Sequence, residues 1–212
     1  MGQLEDILVD AARTLEIDLA PGMAGTLARY AGRVTQWNRK ANLTGARDAA
    51  TFCRSFLTDA LAVAPFVEGR RIADIGSGNG LPGVVLAVLK PEAEVWLIEP
   101  RARRARFLQQ VRIELSLTNV RVVVARVEDW HPTDRPNSIV AQAVGDLGFL
   151  LSVTKHLHGP GCRLHALKGR APEAELAALG PAAAACSVRR LEVPGWEDRH
   201  LVTVDCDDLP NS

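Results

Sequence analysis

Arg71-Ile72-Ala73-Asp74-Ile75-Gly76-Ser77-Gly78-Asn79-Gly80-Leu81-Pro82-Gly83 decides how the rest of this chain is read. A β-type run ends at Asp74-Ile75, and glycines follow at every second position. A helix is predicted from about Leu81-Pro82 onward. Glycine lets a backbone turn tightly and approach a ligand where a Cβ would clash. Pro82 suits the first turn of a helix, where its missing N–H costs little. A strand, a glycine loop and a helix in this order cradle nucleotide-like cofactors in α/β folds.

Two cofactor classes fit these residues. Gly78-Asn79-Gly80-Leu81-Pro82-Gly83 satisfies the dinucleotide fingerprint GxGxxG, with Glu99 at about the right distance to hold a ribose. Asp74 instead favours S-adenosylmethionine. Just before the first glycine, its carboxylate would orient the methionine part of that cofactor, whereas it would repel a pyrophosphate. The residues therefore favour a methyltransferase over a dehydrogenase, with a bare turn as the third reading. Glu99, at the end of Val95-Trp96-Leu97-Ile98-Glu99, has the chemistry to accept both ribose hydroxyls. Val127-Glu128-Asp129, after the third strand, would place a carboxylate and a backbone N–H beside the adenine.

Working outward, strands are predicted over 71–75, 94–98, 120–124, 138–143, 163–167, 188–193 and 201–204. Helices fit between them over 81–90, 103–115, 147–157 and 173–179. Such alternation implies a mainly parallel sheet covered on both faces. Only 194–200 links the last two strands, too short for a crossover helix, so they pair antiparallel. The fold class is α/β, Rossmann-like, closed by a C-terminal hairpin.

Before Gly69 the periodicity is helical. Leu4, Ile7, Leu8, Ala11 and Leu15 recur at helical spacing, as do Leu27, Tyr30, Ala31, Val34 and Trp37. A third helix is predicted around Phe52, Phe56, Leu57 and Leu61. Residues 1–68 are thus a helical extension and 69–212 the cofactor-binding domain, in one compact unit.

The 25 basic and 25 acidic residues cancel, which excludes a globally basic nucleic-acid binder and leaves room for local patches. From Leu19 to Arg47 there are no acidic residues, but Arg29, Arg33, Arg39, Lys40 and Arg47 are present. A second cluster is Arg101, Arg103, Arg104, Arg106 and Arg112. Either is a candidate for phosphate contact or an ordinary solvated face. Trp37 has the ring to stack a base, but its spacing with Tyr30 and Val34 favours core packing. Cys53, Cys162, Cys186 and Cys206 form no CxxC pair. His156, His158 and His165 lack a convincing ligand set, so no metal is expected. The N-terminus lacks a signal peptide's basic start and apolar run, and no apolar stretch is long enough to span a membrane. A cytoplasmic monomer without membrane attachment is expected.

Several segments together carry a family resemblance. They are Trp37-Asn38-Arg39-Lys40-Ala41-Asn42-Leu43-Thr44, Asp74 to Gly83, Arg126 to Asp129, Ala166-Leu167-Lys168-Gly169 and Arg199-His200-Leu201-Val202. In this order they resemble the ribosomal RNA small subunit methyltransferase G family, also called glucose-inhibited division protein B. The resemblance implies N7 methylation of one guanine in 16S ribosomal RNA, with S-adenosylmethionine as cofactor and RNA or the 30S subunit as partner. It implies cofactor contacts from Gly76, Leu81, Val127 and Glu128, beside Asp74, Gly78, Gly80 and Glu99. Lys168, Arg199 and His200 match motif positions on the substrate side, joined by Arg39, Lys40 and Asn42 as candidates.

The chain departs from that pattern in two places. Ala141-Gln142-Ala143 stands where the family usually has Ser-Arg-Ala, with the arginine near the cofactor. Arg54-Ser55 stands where it usually has Arg-His. These differences leave Gln142 as a cofactor-side candidate and open the target to question. The alternatives are a methyltransferase of the same fold with another target, or a non-catalytic ribosome-binding module.

Guanine N7 carries a lone pair and no proton, so its methylation needs no general base and none is assigned. Catalysis would rest on alignment and electrostatics, and positioning alone is worth roughly 7–11 kcal/mol. The loop after the fourth strand lacks the Asn/Asp-Pro-Pro-aromatic motif of amino-group methylation, and no cysteine lies in a motif for carbon-5 chemistry.

Overall fold

The structure, a computed structural model, describes residues 2–210. Strands β1 (Arg71–Ile75), β2 (Glu94–Ile98), β3 (Val120–Val123), β4 (Ser138–Gln142), β5 (Arg163–Lys168), β6 (Cys186–Arg190) and β7 (His200–Asp205) form one sheet. Their order is β3-β2-β1-β4-β5-β7-β6. The first five run parallel, and β7 pairs antiparallel with both β5 and β6. The expected hairpin is present, although its first strand runs from Cys186 to Arg190 rather than over 188–193. Leu191 and Val193 are buried beyond that strand, so their apolar character reflects packing rather than pairing.

Alternate strand residues serve opposite faces. Ile72, Val95, Leu97 and Val140 enter one apolar cluster, and Ala73, Trp96, Ile98 and Ile139 enter the other. The first cluster is covered by α5 (Gly83–Leu89), α6 (Ala102–Glu114) and the N-terminal helices. The second lies under α7 (Leu147–Thr154), with α8 (Glu173–Ala178) packed against α7.

Helices α1 (Gln3–Thr14) and α2 (Met23–Ala41) precede a segment built as α3 (Ala49–Phe52), a π-turn at Cys53–Leu57 and α4 (Thr58–Val63). α2 turns Leu27, Tyr30, Ala31 and Val34 inward, the stripe expected of an amphipathic helix. Leu27, Phe52 and Leu61 share a cluster with Val84, Leu86 and Leu97, so apolar packing crosses the boundary at residues 68 and 69. Trp37 packs on Phe107, with ring centroids 5.7 Å apart, which supports the core reading of that residue.

Candidate active site at the switch point of the sheet

The chain leaves β1 toward β2 and β3, then returns to β4 on the other side of β1. Such a reversal opens a crevice beyond the carboxyl ends of the two central strands. The glycine loop follows β1 here, and Gln142 ends β4.

The loop is pinned largely by its own neighbourhood. Ser77 donates its hydroxyl to the Asp74 carbonyl at 2.9 Å and its N–H to the Ile98 carbonyl at 3.0 Å. Gly78 N–H donates to Glu99 Oε2 at 3.0 Å, and Arg101 N–H to Glu99 Oε1 at 2.8 Å. The Tyr30 hydroxyl reaches up from α2 to the Asn79 carbonyl at 2.5 Å. Burial raises the pKa of that phenol well above its ordinary value, with Asp74 adding to the rise. At Gly80, with φ +101°, an added Cβ would lie 2.7 Å from Val84 Cγ2 and 3.0 Å from Tyr30 Oη, so only glycine fits. Gly78, with φ +56°, is different: nothing lies within 3.4 Å of a Cβ there, and the nearest side-chain atom is Arg104 Nη1 at 3.7 Å.

Asn38 ties the helical extension to this loop. Its Oδ1 accepts from Leu43 N–H at 2.6 Å and Thr44 N–H at 2.9 Å, and its Nδ2 donates to the Thr44 carbonyl at 2.8 Å. Asn42 closes α2 in the left-handed region, with φ 48°. The turn so formed lets the Leu43 carbonyl accept from Asn79 Nδ2 at 3.2 Å.

Two clefts open at this edge. The first, about 280 Å³, is lined among others by Thr44, Gly76, Gly78, Leu81 and Arg104. The second, about 340 Å³, is lined by Asp59, Lys168, Glu175 and Arg199. Phe56, Gln142 and Ala143 line both. Phe56 lies in the π-turn, a local widening of the helix that recurs at functional sites. Ala143 adopts φ +57°, unusual for a residue with a Cβ.

The cations of the second cleft are paired. Arg199 Nε lies 3.1 Å from both carboxylate oxygens of Asp59, and its guanidinium stacks 3.5 Å over the Trp196 ring. Burial pushes the Asp59 carboxyl up to about 6, against the pull of Arg199. Lys168 Nζ donates to Glu175 Oε2 at 2.7 Å and to the Gly145 carbonyl at 3.1 Å. The same Glu175 oxygen accepts from Leu147 N–H, the first amide of α7.

The structure thus brings Gly76, Gly78, Leu81 and Gln142 to the first cleft, and Lys168 and Arg199 to the second. Asp74 and Glu99 stand behind the glycine loop, 0% and 2% exposed, where they brace it. Asp74 Oδ2 accepts from Gly83 N–H at 3.2 Å, while Oδ1 has no partner. Burial pushes the Asp74 carboxyl up to about 7, against the pull of the nearby Ser77 hydroxyl and the Gly83 amide and with a further push from Glu99. Val127 is buried and Glu128 exposed on a turn that lines neither cleft. His200 begins β7 opposite Lys168, buried, with Nδ1 3.4 Å from the Asp198 carboxylate, and also lines neither. Arg39, Lys40 and Asn42 are exposed at the end of α2. There Arg103 donates to the Lys40 carbonyl at 2.8 Å and Arg104 to the Asn42 carbonyl at 3.4 Å. Arg39, Lys40, Arg101, Arg103, Arg104 and Arg106 make no salt bridge among the described residues.

Sequence reasoning missed Phe56, Asp59 and Glu175 as site residues. Only the three-dimensional pairing reveals them, because an isolated Asp or Glu on a helix carries no local signal. Among the described residues no cluster of His, Cys, Asp and Glu could hold a metal, and no helix is long and apolar enough to cross a membrane.

Sheet order, terminal hairpin and glycine cleft together define the Rossmann-like methyltransferase fold. A predicted O-methyltransferase from Agrobacterium tumefaciens is similar, with TM-score 0.57 and 22% identity, over 69% of this chain and 80% of that one. An S-adenosylmethionine-dependent O-methyltransferase from Thermotoga maritima has TM-score 0.57 and 16% identity, over 81% and 70%. Residues 23–202 match the family model GidB, rRNA small subunit methyltransferase G. The ribosomal RNA small subunit methyltransferase G of Escherichia fergusonii is 37% identical over 96% of this chain and 97% of its own length. The chain belongs to the rRNA small subunit methyltransferase G family.

Proposed function

We propose that this protein transfers a methyl group from S-adenosylmethionine to N7 of a guanine in 16S ribosomal RNA, the cofactor lying in the first cleft and the base entering through the second. The observation that carries this reading is the meeting of the two clefts at Gln142, beside the glycine loop, in a chain of this family.

The first cleft fits the cofactor in its donor set. Gly78 leaves open space where a Cβ would intrude, and Glu99, behind the loop, accepts the Gly78 and Arg101 N–H groups and so fixes the backbone shape that the cofactor meets. Asp74 acts through the loop it braces. Arg104 offers a cation for the methionine carboxylate. When bound, the cofactor supplies an electrophilic methyl on a cationic sulfur.

The second cleft suits a neutral planar base better than a phosphate, because Lys168 and Arg199 are already matched by Glu175 and Asp59. Phosphate contact is better supported at the unpaired ridge of Arg39, Lys40, Arg101, Arg103 and Arg106. This ridge flanks the first cleft through Arg104 and the turn after α2. Since the N7 lone pair attacks directly, the residues need only hold, align and exclude water. The protein would act on RNA, or on the assembled 30S subunit, in the cytoplasm.

The test is transfer of radiolabelled methyl from S-adenosylmethionine to 16S RNA and to intact small subunits, with the modified base mapped. Label at one guanine N7 is expected. Label at another atom, or none with cofactor bound, would overturn the reading.

A further inference from the structure

Among the described residues, Gln142 is the polar side chain common to the two clefts, and it is uncommitted. Its Oε1 is shut off from solvent without a hydrogen-bond partner. No hydrogen bond within the protein therefore fixes which end of this amide faces the clefts. The charged neighbours in the second cleft are engaged with each other: Lys168 with Glu175, Arg199 with Asp59. The Gln142 backbone is fixed by pairing with Leu167 of β5. The amide is therefore anchored at its base, while its soft terminal torsion lets it turn over without breaking a bond inside the protein.

We infer that Gln142 reads the 6-position of the purine whose N7 is methylated. This rests on the reading above, in which N7 faces the first cleft. On a purine, N7 and the 6-substituent share one edge. A base that points N7 from the second cleft toward the first brings its 6-substituent to the boundary, where Gln142 stands. A glutamine amide has a donor and an acceptor. Nε2–H donates to a 6-oxo group, and after a half-turn Oε1 accepts from a 6-amino group. An arginine at this position, with donors only, pairs with the 6-oxo group alone. Gln142 thus makes this chain more tolerant of the 6-substituent than a donor-only residue would.

The test uses small-subunit RNA with the methylated guanosine replaced by 2-aminopurine riboside, which has no 6-substituent, or by 2,6-diaminopurine riboside, which has a 6-amino group. Single-turnover rates at saturating S-adenosylmethionine are compared for the native protein and three variants. Gln142→Leu sets the intrinsic reactivity of each base. Relative to it, the native protein should gain about tenfold on guanine and on 2,6-diaminopurine, the value of one hydrogen bond, and nothing on 2-aminopurine. Gln142→Arg should keep the gain on guanine and lose it on 2,6-diaminopurine. Gln142→Glu, measured at alkaline pH where its carboxylate only accepts, should do the reverse. Because the three bases are compared within each variant, a change in cofactor affinity or stability acts on all three alike and cancels, which separates base reading from a structural role. The same three-base ratios in the native protein and in Gln142→Leu would overturn the inference. No transfer by the native protein to the guanosine RNA would instead overturn the reading on which it rests.

Discussion

The two clefts that meet at Gln142 are held open by different means. The first is walled by backbone, with a glycine loop fixed through hydrogen bonds to Glu99, Ile98 and Tyr30. The second is walled by side chains standing as two ion pairs, contributed by α4, α8, β5 and the segment leading into β7. A backbone cradle offers one shape to one small ligand. Paired charges hold their side chains in place only while both partners are present. The first region is therefore expected to fail through geometry and the second through electrostatics.

The largest effect should come from closing the first cleft. Gly78→Val puts a branched side chain where the loop leaves space, at φ +56°. Left-handed strain of about 1–2 kcal/mol is within reach of a domain this size. S-adenosylmethionine affinity should fall at least 100-fold by calorimetry, with the far-ultraviolet circular dichroism unchanged. Retained affinity in a folded variant would break the division of labour between the clefts.

Next is the second cleft. Arg199→Met should lower methyl transfer to RNA about 100-fold while leaving cofactor affinity within twofold. It also leaves the buried Asp59 without its cation, a loss of about 3–5 kcal/mol when the carboxylate stays charged. Asp59→Asn in the Arg199→Met background should restore the melting temperature but not the transfer. Recovery of both would make the pair a structural brace and nothing more.

A smaller effect is expected at the arginine ridge. Arg39→Ala with Lys40→Ala should weaken RNA binding by about tenfold at low salt. The slope of log affinity against log salt should become shallower by about two, roughly one for each phosphate that the protein no longer neutralises. An unchanged slope would remove α2 from the RNA surface.

These contrasts also explain what can be read from the chain. The strand, glycine loop and helix of residues 71–83 lie within one short stretch, so their pattern is local and legible. The hairpin follows from the short link over 194–200. The second cleft draws on residues 59, 142, 168, 175 and 199, and no spacing rule joins them. Lys168 and Arg199 are reached only through family motifs, and their partners Asp59 and Glu175 not at all. Glu128 and Val127 show the opposite case, since their motif positions lie outside both clefts here. The sequence pattern turns Asp74 toward the ligand, whereas the folded chain seals it behind the loop. Sequence reveals that a carboxylate ends a strand, but which way it points depends on helix α5 packing over it.

That sealed carboxylate yields the smallest effect. In the folded protein the Asp74 carboxyl is pushed up to about 7 from its ordinary 3.8, so folding takes up a proton. The stability linked to Asp74 is full below about 4, declines as pH rises, and is lost once pH passes 7. Asp59 behaves in the same direction with a value of about 6, tempered by Arg199. Asp74→Asn removes this dependence, so the melting temperature of the native protein minus that of Asp74→Asn should fall steadily from about pH 4 and level off above about 7. For Asp59→Asn the corresponding fall should level off above about 6. A flat difference for Asp74→Asn would mean that its carboxyl ionises as if solvated, and that the glycine loop is not closed over it. Levelling off at the same pH for the two variants would show that the two clefts share one electrostatic environment, contrary to the separation drawn from their walls.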